Sequence, residues 1–309
     1  MTASAPPPIL VLAGPTASSQ SALAVELAGR LGGEIVGADS QQVYRGLPVG
    51  TAQPDEAERA AAPHHLVGLI DPGEPMDASR WAALADRTIA EIAGRGRRPI
   101  VAGGTGLYLR ALLHGVVPAP GRDEALRARL TAEASALGRP ALHARLAAID
   151  PAAAARIRPN DLVRVVRALE IAAGGELPSA LHAAHGFRPD RYRALFLALD
   201  PPRDLLHARI DARVAAMFRG GLLHEARALL VRFGRPLPAR LPIGYAEAAA
   251  LLAGEIDEAE AIRRVQVAHR RYARRQVIWL RREPGVEWLA PPWDGEALAR
   301  RVNGWWSAP

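Results

Sequence analysis

The segment Gly14-Pro-Thr-Ala-Ser-Ser-Gln20-Ser21 lies between an apolar run, Ile9 to Ala13, and the stretch Ala22 to Leu31. Its residue types suit the holding of a polyphosphate. A glycine lets backbone approach an anion, the N–H groups of a tight turn and a helix start converge on negative charge, and a hydroxyl can face a metal ion. The reference spacing is G-x-x-x-x-G-K-[ST]. Gly14 and Ser21 fit it, but Ser19 stands at the second glycine and Gln20 at the lysine. An ordinary strand–turn–helix would read the same way, so the loop alone leaves both readings open.

Two further places could share its chemistry. Glu34-Ile-Val-Gly-Ala-Asp39-Ser40 reads as a short strand ending in a carboxylate and a hydroxyl. At the C-terminal end of a strand in a doubly wound sheet, Asp39 would face the ligand crevice as a base or a metal-facing group. The competing reading is a helix N-cap. Ile100-Val-Ala-Gly103-Gly104-Thr105-Gly106 is a second strand opening into a glycine turn, with a hydroxyl at the start of a helix. Two such turns on adjacent strands can address one anion, and the coincidence is stronger than either turn alone. Paired His64 and His65 lack a third ligand at a metal spacing, so packing or hydrogen-bonding roles are expected.

These groups need a scaffold, and the chain supplies its parts in order. Strands are expected near Ile9–Ala13, Glu34–Gly37, Val67–Ile70, Ile100–Ala102, Tyr192–Leu199 and Val286–Leu289, the last an edge strand. Val49 to Pro54 reads as a loop. Helices are expected at Ser79–Ala93, capped by Asp77 or Ser79, after Pro202, and at Leu222–Phe233. The pattern from Asp123 to about His185 is helical throughout, which predicts an inserted helical subdomain at residues 119–187 within a core of residues 1–118 and 188–309. Its helix Asp161 to Glu170 carries Arg164 and Arg167 three apart, able to face phosphates, or else a solvated face with Glu170 as partner.

With 309 residues the chain can bury a sizeable core. Cysteine is absent, so disulfides and thiolate metal sites are excluded. No apolar run reaches membrane-spanning length and no export signal is visible, which points to the cytoplasm. The net charge of +7 suits a polyanionic partner. Every basic residue other than histidine is arginine. A bias toward arginine would not remove a loop cation, so Gln20 is a real departure. Charge concentrates on a helix from Glu258 to Trp279, where Arg263, Arg264, Arg270, Arg271, Arg274 and Arg275 interleave with Tyr272 and Trp279. Such a helix suits phosphate tracking and base stacking.

An ordered set of local sequences resembles one family, the tRNA dimethylallyltransferases. The set is Gly14–Ser18, Asp39-Ser-Gln-Gln-Val-Tyr-Arg-Gly46, Gly50–Pro54, Pro63–Leu66, Gly103–Thr105, the Asn160–Glu170 helix, Gly244-Tyr245, and Ala273-Arg-Arg-Gln276 with Trp279. The resemblance implies a P-loop NTPase-like α/β fold, a parallel sheet core with a helical insertion subdomain and a basic C-terminal helical region. It implies transfer of a dimethylallyl group from dimethylallyl diphosphate to N6 of the adenosine 3′ of the tRNA anticodon, by a monomer using Mg²⁺. Carried onto this chain, Asp39 would be the general base, and Thr105 and Arg213 would steady the diphosphate. Gly14, Pro15, Thr16, Ala17, Ser18, Ser19, Gln20 and Ser21 would wrap it, with Ser21 at the metal. Asp39, Ser40, Gln41, Gln42, Val163, Arg164, Arg167, Arg270, Arg274, Arg275 and Gln276 would face the tRNA.

The departures carry weight. The family pattern has Gly-Lys where this chain has Ser19-Gln20, Lys at Gln53, and commonly Thr at His269 and Ile278. A missing charge-assisted contact costs about 2–4 kcal/mol of transition-state stabilisation. Another arginine then compensates, or the enzyme is slow, or the chain is a tRNA-binding pseudoenzyme. A nucleotide-dependent kinase binding ATP at the same loop is a further alternative, which leaves the basic helix unexplained.

Overall fold

The computed structural model describes residues 6–117, 119–185, 191–238 and 240–307. The boundaries expected at 118 and 187/188, and the absence of an export signal read partly from Met1–Ala5, fall on residues outside that description. The backbone divides into two compact units, residues 1–113 with 190–309, and residues 114–189.

The first unit begins with β1 (Ile9–Ala13), α1 (Gln20–Leu31) and β2 (Gly33–Gly37), then short α2 (Pro48–Thr51), α3 (Glu56–Ala61) and β3 (His64–His65). It continues through α4 (Ala78–Gly94), β4 (Arg98–Ala102) and α5 (Gly106–His114). The second unit is helical, with α6 (Glu124–Leu137), α7 (Arg139–Ile149), α8 (Pro151–Arg156), α9 (Leu162–Ala173) and α10 (Pro178–His185). The first unit then resumes with β5 (Ala194–Leu199), α11 (Arg203–Gly220), α12 (Leu222–Phe233), α13 (Tyr245–Leu252), α14 (Glu258–Leu280), β6 (Val286–Leu289) and α15 (Gly295–Ser307).

The six strands form one parallel sheet in the order β3-β2-β4-β1-β5-β6. Strands covered on both faces should be apolar throughout, and β1 is buried at every position. Its period of two sends Ile9, Val11 and Ala13 into one cluster, with Trp81, Leu109, Val214 and Val265. Leu10 and Leu12 enter the other, with Leu23 and Leu27 of α1 and Val302 of α15. The helical unit has its own core of Leu130, Leu142, Leu146, Val165 and Leu169.

Register sets the site. Leu12 and Gly37 both pair with Ala102, so β1, β4 and β2 end level with one another. The Gly14 turn, the Gly103 turn and Asp39 therefore leave adjacent strands at one edge of the sheet. The backbone cross-links them: Gly103 N–H donates to Leu12 O at 3.1 Å, Ala38 N–H to Ala102 O at 2.7 Å, and Thr105 N–H to Ala38 O at 3.1 Å.

Two expectations are corrected. The third strand is His64–His65, paired with Ile35 and Val36, and not Val67–Ile70. Left-handed Leu66 and Gly68, both at φ 61°, turn the chain there. Leu69 and Ile70 N–H groups then bond Val43 O outside any ladder. The segment expected as a loop at Val49–Pro54 contains α2. It is held by Glu225, whose carboxylate accepts Val49 N–H at 2.7 Å, Gly50 N–H at 2.9 Å and Tyr245 OH at 2.6 Å. The histidines behave as expected: His65 Nε2 meets Glu34 Oε2 at 2.7 Å and His64 Nδ1 meets Ala62 O at 2.8 Å.

Gly50 packs so closely on Tyr245 and Leu222 that a Cβ would overlap both. Gly50→Ala should therefore cost about 1–3 kcal/mol by overpacking. Gly29, inside α1 with nothing near its Cβ position, should gain about 0.5–1 kcal/mol on replacement by alanine. Urea unfolding of the two variants checks the opposite signs.

Candidate active site

At the sheet edge lies a cavity of about 230 Å³, lined by Gly14 to Ala22, Asp39, Gln41, Gln42, Gly50 to Ala52, Glu58, Gly104, Arg213, Met217, His269, Tyr272 and Gln276. All eight candidate loop residues, Gly14 through Ser21, thus meet Asp39 and Arg213 at one place.

The loop owes its shape to two left-handed residues, Ala17 at φ 66° and Ser19 at φ 70°. Holding a non-glycine residue there costs on the order of 1 kcal/mol. At Ser19 this is the conformation the motif's second glycine would adopt freely. Ser19 caps α1 without a side-chain hydrogen bond to the helix. Gln20, Ser21 and Ala22 open that helix and line the cavity, so the positive end of the helix dipole faces it. The Ser18 hydroxyl is buried without a partner.

The two glycine turns are joined by one side chain. Buried Gln276 accepts Thr16 N–H on Oε1 at 2.9 Å and donates Nε2 to Gly104 O at 3.0 Å. Gly104 has room for no Cβ: Gln276 Nε2 already occupies the place and Gly14 O lies 2.8 Å from it. Gly106 is closed by Trp279 in the same way.

Asp39 does not cap a helix. Its Oδ1 accepts Gln41 N–H at 2.8 Å, closing a turn. Burial raises its carboxyl above the ordinary value, against the N–H groups of Gln41 and Gln42 and the charge of Arg213, which pull it down. Thr105 stands behind this turn rather than among the lining residues. Its hydroxyl accepts Ser40 N–H at 2.8 Å and lies 3.2 Å from Ser40 Oγ and 3.5 Å from Tyr272 OH. Gln41 Oε1 accepts Ile243 N–H at 3.0 Å, and Gln42 Nε2 donates to Ala52 O at 2.6 Å. Gln53, where the family pattern has lysine, donates to Tyr44 O at 2.7 Å and Gln42 O at 3.1 Å. Burial and the charge of Asp39 push the Tyr272 phenol up to about 12, so it remains a hydroxyl.

The candidate RNA-facing residues are divided. Arg274 and Arg275 are exposed, and Arg275 covers the Tyr272 ring at 5.6 Å. Arg270 pairs with Asp211 and, with Arg203, Arg271, Arg274 and Arg281, lines a groove of about 940 Å³. Gln276 is committed to the two turns. In the helical unit Val163 and Arg164 are exposed, Arg164 standing 3.5 Å from Asp161. Arg167 instead donates to Glu170 Oε2 at 2.6 Å and Pro120 O at 2.7 Å. Burial would raise the Glu170 carboxyl, but Arg127, Arg167 and Asp123 N–H bring it down to about 2.

Arg209 lay outside the sequence reading of the site, and His269 entered it only as a departure from the family pattern. Arg209 Nη1 donates to Ser19 Oγ at 3.0 Å, and its signal was its place one helical turn before Arg213. His269 lines the cavity and is 5% exposed, with Nε2 buried and unpartnered. Burial, then the charge of Arg213, takes its imidazole down to about 4, so it is neutral near pH 7.

Residues 42–283 match the family model for IPP transferase. The chain is 77% identical over 295 residues to a tRNA dimethylallyltransferase of Anaeromyxobacter dehalogenans, covering 96% of this chain and 99% of that one. It is 52% identical to a tRNA dimethylallyltransferase of Myxococcus xanthus over 93% of this chain and 94% of the other. Among solved structures, a tRNA isopentenylpyrophosphate transferase of Bacillus halodurans superposes with a TM-score of 0.68 at 37% identity, covering 97% and 95% of the two chains. A eukaryotic dimethylallyltransferase acting on tRNA superposes with a TM-score of 0.79 at 28% identity, covering 96% of this chain and 78% of that one.

A depressed histidine binds its proton more weakly in the folded than in the unfolded state, so stability falls as pH drops from 6.5 toward 4. His269→Thr should remove about 2–3 kcal/mol of the stability lost between about pH 7 and pH 4.5. Urea unfolding of both proteins at the two pH values measures it.

Proposed function

We infer that this chain, which belongs to the IPP transferase family, is a tRNA dimethylallyltransferase that moves a dimethylallyl group from dimethylallyl diphosphate to N6 of the adenosine 3′ of the tRNA anticodon. The observation that carries the reading of its mechanism is the single cavity shared by the Gly14–Ser21 turn, Asp39 and Arg213. The pseudoenzyme alternative gains nothing from relatives that are all named as transferases.

The diphosphate lies against the start of α1 and the loop N–H groups, with the Arg213 guanidinium beside it. The C1–O bond to the diphosphate breaks as the C1–N6 bond forms, and the amine proton passes to the Asp39 carboxylate. Charge growing on the departing diphosphate meets donors already aimed at the cavity, so little reorganisation is needed. Burial makes Asp39 a stronger base than an exposed carboxylate, while the N–H groups of Gln41 and Gln42 and then the charge of Arg213 favour its ionised form. Thr105 and Tyr272 hold the Asp39–Gln42 turn in place. The adenine must leave its stack to reach the site, and exposed Arg274 and Arg275 with the arginine-lined groove supply cations along the RNA backbone.

Mg²⁺ fits these residues. It needs few protein ligands when phosphate oxygens complete its shell, and Ser21 and Asp39 line the same cavity with a hydroxyl and a carboxylate. When bound it would neutralise diphosphate charge. The described residues hold no group of three or more His, Cys, Asp or Glu that could hold a metal ion. In this reading the enzyme works as a cytoplasmic monomer, and the loop class extends to nucleotides such as ATP. No helix of the described residues is long and apolar enough to cross a membrane.

Purified protein with Mg²⁺, dimethylallyl diphosphate and an anticodon stem-loop should yield prenylated adenosine, and no transfer at any Mg²⁺ concentration overturns the reading. Asp39→Asn should lower kcat by about 10²–10⁴ with little change in pyrophosphate affinity. The acid limb of kcat/KM should have its midpoint above 3.8, the ordinary value for such a carboxyl. Arg213→Met should move that midpoint to higher pH, because it removes the charge that lowers Asp39.

A further inference from the structure

The altered loop lacks the cation its class places against a diphosphate, since Gln20 stands where lysine is expected. We propose that Arg209 of α11 supplies that cation, as a diphosphate-binding residue that replaces the loop lysine. The proposal rests on the diphosphate reading above and adds to it a residue outside the loop.

Both departures in the loop bear on it. Serine at position 19 brings a hydroxyl that glycine lacks, and Arg209 Nη1 donates to that hydroxyl at 3.0 Å. Ser19 lines the cavity and Arg209 does not, so the guanidinium is tethered behind the loop by a residue of the cavity wall. Arg213, one helical turn further along α11, lines the cavity, so the same face of the helix carries one cation that borders the cavity and one that reaches the loop through Ser19.

Arg209 is also left uncompensated. On the facing helix α14, by contrast, Arg270 is held by Asp211. Among the described residues Arg209 forms no ion pair, and its hydrogen bond goes to a neutral hydroxyl. A guanidinium has five N–H donors and does not lose its proton. One donor therefore orients the group while the others remain for phosphate oxygens, which guanidinium binds in a forked geometry that lysine cannot offer. The loop departures thus make one exchange. Glycine to serine creates the tether, and lysine to glutamine removes a competing charge from the place the guanidinium serves.

The test is a double-mutant cycle read as the dissociation constant of inorganic pyrophosphate with Mg²⁺, by calorimetry. The proteins are the parent, Arg209→Gln, Gln20→Lys, and the two changes combined. Arg209→Gln should weaken pyrophosphate roughly 10–100-fold in the parent. In the Gln20→Lys protein it should weaken it less than about 3-fold, a non-additivity expected only if the two cations share one task. Equal losses in both backgrounds, or none in the parent, overturn the proposal. Thermal midpoints confirm that the variants fold. Should Arg209→Gln not fold, Arg209→Lys decides, because losing the fork while keeping charge should cost several-fold in the parent and nothing in the Gln20→Lys protein. If only the Gln20→Lys proteins bind pyrophosphate, the replacement is refuted while the diphosphate reading stands. If none of the four binds it, the diphosphate reading itself fails.

Discussion

The site depends on one amide. Gln276, on the long basic helix α14, accepts from Thr16 in the first glycine turn and donates to Gly104 in the second. The sheet brings the two turns to one edge, but parallel register alone cannot hold two loops against each other. A buried carboxamide can, because it offers one acceptor and two donors at fixed angles and each hydrogen bond in such a place is costly to lose. Close packing forces the same geometry from the other side. Gly103 has its Cβ position filled by Ala38 backbone, Gly104 by Gln276, and Gly106 by Trp279. The turns are glycine-rich because α14 and the end of β2 already occupy the space beside them.

That clamp gives the cavity its electrostatic character. Asp39 and Arg213 are both half-buried, and each moderates the other. Burial raises the carboxyl while the guanidinium lowers it, and burial lowers the guanidinium while the carboxyl raises it. Arg213 also helps keep His269 neutral. The cavity therefore holds a carboxyl whose basicity burial raises, a guanidinium, and the uncharged side chains of Tyr272 and His269. Transfer from a diphosphate needs these side by side, because negative charge collects on one fragment while a proton leaves the other.

Most strands were legible in outline, as apolar runs followed by glycine or aspartate, while their order in the sheet was not read from the sequence. The Gly14 turn, Asp39 and the Gly103 turn could be read as neighbours because strand ends in a parallel sheet face one crevice. Val67–Ile70 misled, since its apolar run hides the left-handed Leu66 and Gly68, and no spacing rule marks a leucine at positive φ. Arg167 had two readings, and Glu170 took it. Gln276 looked like part of a basic RNA-facing surface, because neighbours along a helix say nothing about which face is buried. Arg209 stood in plain view one turn before Arg213, but its hydroxyl partner lies 190 residues away in sequence.

The arginine count overstates the charge available to RNA. On α14, Arg263 and Arg264 share Glu260, and Arg270 is held by Asp211. Arg110 is held by Glu283 while lying over Trp279. These guanidinium groups already have carboxylate partners. The exposed guanidinium groups of Arg271, Arg274 and Arg281 gather along one groove with Arg203. A chain with a net charge of +7 can therefore present a concentrated positive strip while other arginines are paired with carboxylates. Because paired cations release few counterions when a polyanion arrives, the salt dependence of RNA binding should follow the groove arginines, and not the total.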